Sequence, residues 1–158
     1  GMGVHLTDLM IWLFGPVDKV FASTAKRALK FKTGDVVTAS LQHSSGLNTQ
    51  ITAILKTPHY QRVTIWGENG WVELVDSSHP DTPGPSFMKM VMNDGTIKEE
   101  KYEWTDTVSA NIHNFIDSIQ GQSKYLFTDV EKFQNISVLE AIYKSSLSKQ
   151  NEKVESFN

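Results

Sequence analysis

The sequence predicts an α+β domain, with a large, mostly antiparallel, open-faced β-sheet and helices packed on one face. Three observations carry this. An apolar helical run opens the chain, the middle alternates with a period of two, and the last third returns to helical spacing.

The opening run, Val4 to Phe14, holds Leu6, Leu9, Met10, Ile11, Trp12 and Leu13 and is stopped by Gly15-Pro16. A helix this apolar nearly all round is expected to be buried. Period-two runs rich in Val, Thr and Ile follow, beginning with Val17 to Arg27 and continuing with Val36 to His43, and read as strands. Ser44-Ser45-Gly46 signals a turn into the alternating run Leu47 to Leu55, so these two runs are expected to form a hairpin. Asn69-Gly70 signals a second hairpin between Val63 to Trp66 and Trp71 to Val75. The loop Ser77 to Pro85 holds three prolines and continues neither strand nor helix. Phe87 to Met92 and Thr96 to Trp104 are two more strands about Asn93-Asp94-Gly95. Val108, Ile112, Phe115, Ile116 and Ile119 then recur at helical spacing until Gly121. A last helix opens on a capping box, Thr128 with Glu131, and runs to about Lys149, its inner side expected to carry Val130, Phe133, Leu139, Ile142, Tyr143 and Leu147.

The totals describe one ordinary domain. A chain of 158 residues buries about two-thirds of the surface of its unfolded form. A net charge of -3 offers no basic excess to attract phosphate backbones, so nucleic acid is not an expected partner. Without cysteine there is no disulfide, thiolate metal site or thiol nucleophile, a composition that suits the cytoplasm. The one apolar run is far shorter than the ~20 residues of a membrane span and has no basic leader, so neither membrane insertion nor a targeting segment is expected. Gly1 before Met2 reads as a tag remnant, which places the domain at 2–158.

The candidate chemistry lies in the first helical turn, Gly3-Val4-His5-Leu6-Thr7-Asp8. A histidine and a carboxylate three positions apart share one side of a helix. Imidazole titrates near neutrality, so His5 is suited to take a proton from a substrate hydroxyl while Asp8 orients the ring or holds a second hydroxyl. The alternative is a solvated surface pair of no functional meaning.

Gly-x-His-x-x-Asp followed by an apolar helix and a Gly-Pro stop resembles the start of the second domain of the glucose-fructose oxidoreductase, inositol dehydrogenase and MocA family. Val63 to Leu74 is similar to that family's Gly-x-x-Gly hairpin, Asn114 to Ile119 to its penultimate helix, and Val138 to Ser146 to its last. The resemblance implies a substrate-binding and oligomerisation domain of an NAD- or NADP-dependent oxidoreductase of sugars or polyols. His5 is then the catalytic acid/base and Asp8 a substrate-hydroxyl ligand. It also implies a preceding nucleotide-binding domain, absent from 2–158, that holds the cofactor and supplies a lysine. Many members carry an aspartate four residues before the histidine, where this chain has Gly1. No Gly-x-Gly-x-x-Gly follows a strand here, so this chain is not expected to hold NAD alone. The implied partners are a sugar or polyol and further copies of the chain, which associate through the open sheet face if Phe87 and Val91 or Ile54 prove open there. The rival reading is a non-catalytic dimerising or ligand-binding module derived from that domain, with His5 and Asp8 as remnants or structural hydrogen-bonders.

Other residues carry less. His43, His59, His79 and His113 lack paired spacing, and no metal site is expected. Trp66, Trp71 and Trp104 read as cross-strand packing as readily as a sugar-stacking surface. Arg27, Lys30 and Lys32 read as a solvated turn.

Overall fold

The computed structural model describes residues 3–30 and 34–156. Gly1, Met2 and Lys32, which the sequence reading singled out, lie outside the described residues. The elements run α1 (Gly3–Phe14), β1 (Val17–Ala25), β2 (Val36–His43), β3 (Asn48–Ile54), β4 (Gln61–Gly67), β5 (Gly70–Asp76), β6 (Ser86–Met92), β7 (Ile97–Tyr102), α2 (Thr107–Ile119), α3 (Asp129–Ser148) and β8 (Glu152–Lys153). The class is α+β, and every strand pairing is antiparallel. The chain divides into two compact units, Gly1–Lys56 with Phe127–Asn158, and Thr57–Leu126. Each holds one four-stranded sheet, ordered β3-β2-β1-β8 and β4-β5-β6-β7. The strands expected in one large sheet are thus hydrogen-bonded in two.

In the first unit, α1 and α3 pack on the sheet. The inward rows are Val20–Leu41–Thr49 and Ala22–Ala39–Ile51. A bulge between Val17 and Lys19 turns both Val17 and Val20 inward. Met10, Ile11, Val138, Ala141, Ile142 and Val154 complete this core. The opposite rows, Lys19–Gln42–Asn48, Phe21–Ser40–Gln50 and Ser23–Thr38–Thr52, are mostly hydroxyl and amide. The open face of this sheet is therefore polar except at exposed residues such as Phe21 and Ile54.

Backbone groups left over at the sheet margins are satisfied by side chains. Asp35, buried at 3% exposure, accepts the backbone N–H of Arg27, Ala28 and Leu29 at 2.7, 2.6 and 2.7 Å. That capture ends β1 at Ala25, two residues before the predicted Arg27. Gly15 stops α1 in the left-handed region, φ 80°, with its N–H on the Ile11 carbonyl at 2.8 Å.

α1 and α3 depart from the sequence reading in one direction. α1 is not buried all round: Thr7, Met10 and Ile11 are, whereas His5, Trp12 and Leu13 are exposed. α3 turns Gln134, Asn135, Ser137, Val138, Ala141, Ile142, Ser145 and Ser146 inward. Of its expected inner residues, Val130, Phe133, Tyr143 and Leu147 are exposed and Ile142 alone is buried. Beside the apolar Val138, Ala141 and Ile142, Gln134 donates to the Val17 carbonyl and Ser145 accepts the Ala22 N–H of β1. The predicted capping box is present, Thr128 accepting from the Glu131 N–H and Glu131 from that of Thr128.

In the second unit, the sheet presents Thr64–Glu73–Lys89–Glu99 and Trp66–Trp71–Val91–Ile97 on one face, and Val63–Leu74–Met88–Glu100 and Ile65–Val72–Met90–Lys98 on the other. Phe87 is exposed and Val91 half-buried. α2 starts at an N-cap, Asp106, whose carboxylate accepts from Ser109 N at 2.9 Å. Its Val108, Ile112, Phe115, Ile116 and Ile119 are exposed.

Candidate functional site

The first turns of α1 place His5, Asp8 and Trp12 at positions i, i+3 and i+7, a single stripe along one side of the helix. His5 is exposed, and Asp8 is half-buried. Asp8 borders a recess completed by Ile11, Trp12, Phe127 and Glu131, with about 10 Å³ of space, room for roughly one water. Glu131 brings a second carboxylate to this recess. Hydrogen bonds from the backbone and then the side chain of Thr128 hold its pKa below the ordinary carboxylate value, outweighing burial.

Behind the stripe lies a polar connection to α3 that the sequence reading missed. Thr7, fully buried, has its hydroxyl 2.5 Å from Asn135 Oδ1. Asn135 Nδ2 lies 3.3 Å from the Val4 carbonyl and 3.5 Å from Asp8 Oδ1. The available signal was a polar pair, Gln134 and Asn135, on the same helical stripe as Val138, Ala141 and Ile142, where an inward position is filled by a hydrogen-bonding group.

The remaining candidates are dispersed. His43 is buried, Nδ1 on the Gly15 carbonyl at 2.8 Å and Nε2 on Thr49 Oγ1 at 3.0 Å, its ring edge-on to Phe14. It is a structural clamp. The rings of His59 and His79 meet at 5.7 Å between centroids, a contact that sequence spacing did not suggest. No group of three or more His, Asp or Glu side chains suited to a metal occurs among the described residues. Trp66 lies opposite Trp71 in the β4–β5 register, and Trp104 Nε1 donates to the Pro80 carbonyl at 2.8 Å. The Arg27 backbone belongs to the Asp35 turn.

The described residues do not fit a dinucleotide. A pyrophosphate needs a glycine-rich turn from a strand into the N-terminus of a helix. Here the strand-to-helix turn, Glu103-Trp104-Thr105-Asp106, is acidic and without glycine, and Asp106 occupies the cap. α3 begins with Asp129 and Glu131 in its first turn. No described helix is long and apolar enough to cross a membrane.

The chain matches the model of the oxidoreductase family's C-terminal alpha/beta domain over residues 1–155. Among solved structures it is similar to a putative NADPH-dependent oxidoreductase from Desulfitobacterium hafniense, TM-score 0.81 at 17% identity, over 96% of this chain and 46% of that one. The WlbA dehydrogenase from Bordetella pertussis, solved with NADH and UDP-GlcNAcA, matches with TM-score 0.72 at 22% identity, over 99% of this chain and 44% of its own. The aldose-aldose oxidoreductase from Caulobacter crescentus, solved with glycerol, matches with TM-score 0.79 at 17% identity, over 96% and 46%. The chain thus spans about half the length of these structures. No curated protein matches it significantly.

Proposed function

Given that this chain belongs to the glucose-fructose oxidoreductase, inositol dehydrogenase and MocA family, as a C-terminal alpha/beta domain, we propose that it is the substrate-binding and oligomerisation half of an NAD- or NADP-dependent oxidoreductase of sugar or polyol hydroxyls. The observation that carries this is the stripe of His5 and Asp8 on α1, open at His5 and bordering the Glu131 recess at Asp8. An exposed imidazole one helical turn from a carboxylate suits the reading in which it takes the proton of the hydroxyl being oxidised, while the carboxylate accepts a hydrogen bond from a neighbouring hydroxyl. The dinucleotide is assigned to residues outside this chain, and this chain supplies the proton acceptor and the hydroxyl ligand. Phe87, Ile97 and Trp66, exposed on one face of the second unit's sheet, support the association of further copies there. The absence of cysteine fits a cytoplasmic enzyme.

The decisive experiment uses the protein that joins this domain to its nucleotide-binding half. His5→Ala is expected to lower kcat by roughly 10² to 10⁴, and Asp8→Ala to act mainly on KM. Full activity without the imidazole would overturn the role given to His5. This chain alone is expected to bind neither NAD nor NADP in calorimetry, and light scattering is expected to give a dimer or larger. A micromolar one-to-one complex would refute the first expectation, and a strict monomer the second.

A further inference from the structure

The amide of Asn135 on α3 has only one workable orientation. The Val4 carbonyl and the Asp8 carboxylate can only accept, so Nδ2 must face both of them, 3.3 and 3.5 Å away. Oδ1 then faces Thr7, whose hydroxyl must donate to it at 2.5 Å. The same hydroxyl lies 3.1 and 3.3 Å from the Val4 and Gly3 carbonyls, but it has a single proton. With that proton given to Asn135, the amide uses both of its donors and an acceptor, and all three bonds fall on the turn of α1 that displays His5 and Asp8. Asn135 is buried, 8% exposed, and its bond to Thr7 is buried with it.

We propose that Asn135 is a positioning residue of the candidate site: it anchors Asp8 through Oδ1, leaves Oδ2 to accept a ligand hydroxyl, and fixes the turn that carries His5. This rests on the reading of His5 and Asp8 as the substrate site. An exposed carboxylate on a helix otherwise samples several rotamers, and ordering it in advance removes that cost from ligand binding. Thr7 acts one step behind, as the donor that holds Oδ1 of the amide.

The test is an NMR comparison on this chain, with glycerol as the probe. Asp8→Asn, a change on a half-buried side chain, is expected to shift one of the two Asn135 side-chain amide protons and to speed its exchange, while the proton on the Val4 carbonyl stays in place. Asn135 protons unmoved by Asp8→Asn would overturn the positioning role. Glycerol is expected to shift the Asp8 and His5 signals in the wild type, and this response is expected to be lost in Asn135→Leu and kept in Thr49→Val, whose change lies elsewhere in the fold. A response retained in Asn135→Leu would also overturn the proposal. Should Asn135→Leu not fold, Thr7→Val, which takes the donor from Asn135 Oδ1 and so loosens the amide, is expected to weaken the same response. If the wild type gives no response to glycerol while Asp8→Asn still moves the Asn135 proton, the positioning contact stands and the site reading fails.

Discussion

Ser145, fully buried in the last turn of α3, accepts the backbone N–H of Ala22 at 2.8 Å and donates to the Gln150 carbonyl at 2.7 Å. The short strand β8 pairs only with Lys19 and Val20 of β1, so beyond its end a helix side chain continues the work of the ladder. Ser145→Ala removes the partner of two backbone groups at once, one of them in a buried residue. A loss of about 1–3 kcal/mol is expected in urea unfolding, with Ser145→Thr costing at least as much because the added methyl enters a filled space.

His43 ties the end of α1 to the β2–β3 hairpin. The Gly15 carbonyl can only accept, so Nδ1 donates to it, and Nε2 pairs with the Thr49 hydroxyl. His43→Leu keeps the apolar volume and loses both bonds, an expected cost of about 1–3 kcal/mol. Thr49→Val removes one of them and is expected to cost less in the same denaturant titration.

The Asp35 carboxyl is held below the ordinary carboxylate pKa, chiefly by the backbone N–H of Arg27 and of Ala28 and further by that of Leu29, against the opposing effect of burial. A group whose folded pKa lies below its unfolded value stabilises the fold above the unfolded value, 3.8 here, and loses that contribution as the pH falls through the folded one. Thermal unfolding is therefore expected to show a loss of stability on acidification below pH ~4 that is smaller in Asp35→Asn, a variant already less stable at neutral pH. An unchanged acid limb in that variant would contradict the role given to the carboxylate.

Gly70 opens β5 at φ 153°, where an added Cβ would stand 2.2 Å from the Val91 carbonyl oxygen and 2.9 Å from Met92 Cα. Both are backbone atoms and cannot rotate away. Gly70→Ala is expected to cost at least about 2 kcal/mol and to raise hydrogen exchange at Val91 and Met92 while the β1–β2 amides keep their protection.

The period-two runs, the Asn69-Gly70 turn and the Thr128–Glu131 box were legible because each is a local signal, decided within a few residues. β8 was not: two residues, Glu152 and Lys153, carry no periodicity and form a strand only because β1 offers an edge. The inward face of α3 was misread for a related reason. Apolar spacing selected Phe133, Tyr143 and Leu147, whereas contact with β1 selects small residues that approach closely and polar ones that meet its spare backbone groups. His5 and Asp8 could be named from their spacing on one turn. Asn135 could not be linked to them, being 127 positions away from Asp8 and brought there only by the packing of α3 on α1.

The mixed inner and outer faces of α3 subject one helix to two kinds of constraint. Its inner positions tolerate little change in volume, and enlarging Ala141 would pry the helix from its sheet in any context. Its outer positions Ile136, Tyr143 and Leu147 contribute little to the fold of this unit, and their apolar surface is left to the solvent. Recombinant handling should expose the difference: glutamate at Ile136 or Leu147 is expected to raise the solubility limit of the chain and leave its melting temperature in place, whereas the same residue at Val138 would leave no folded protein to concentrate.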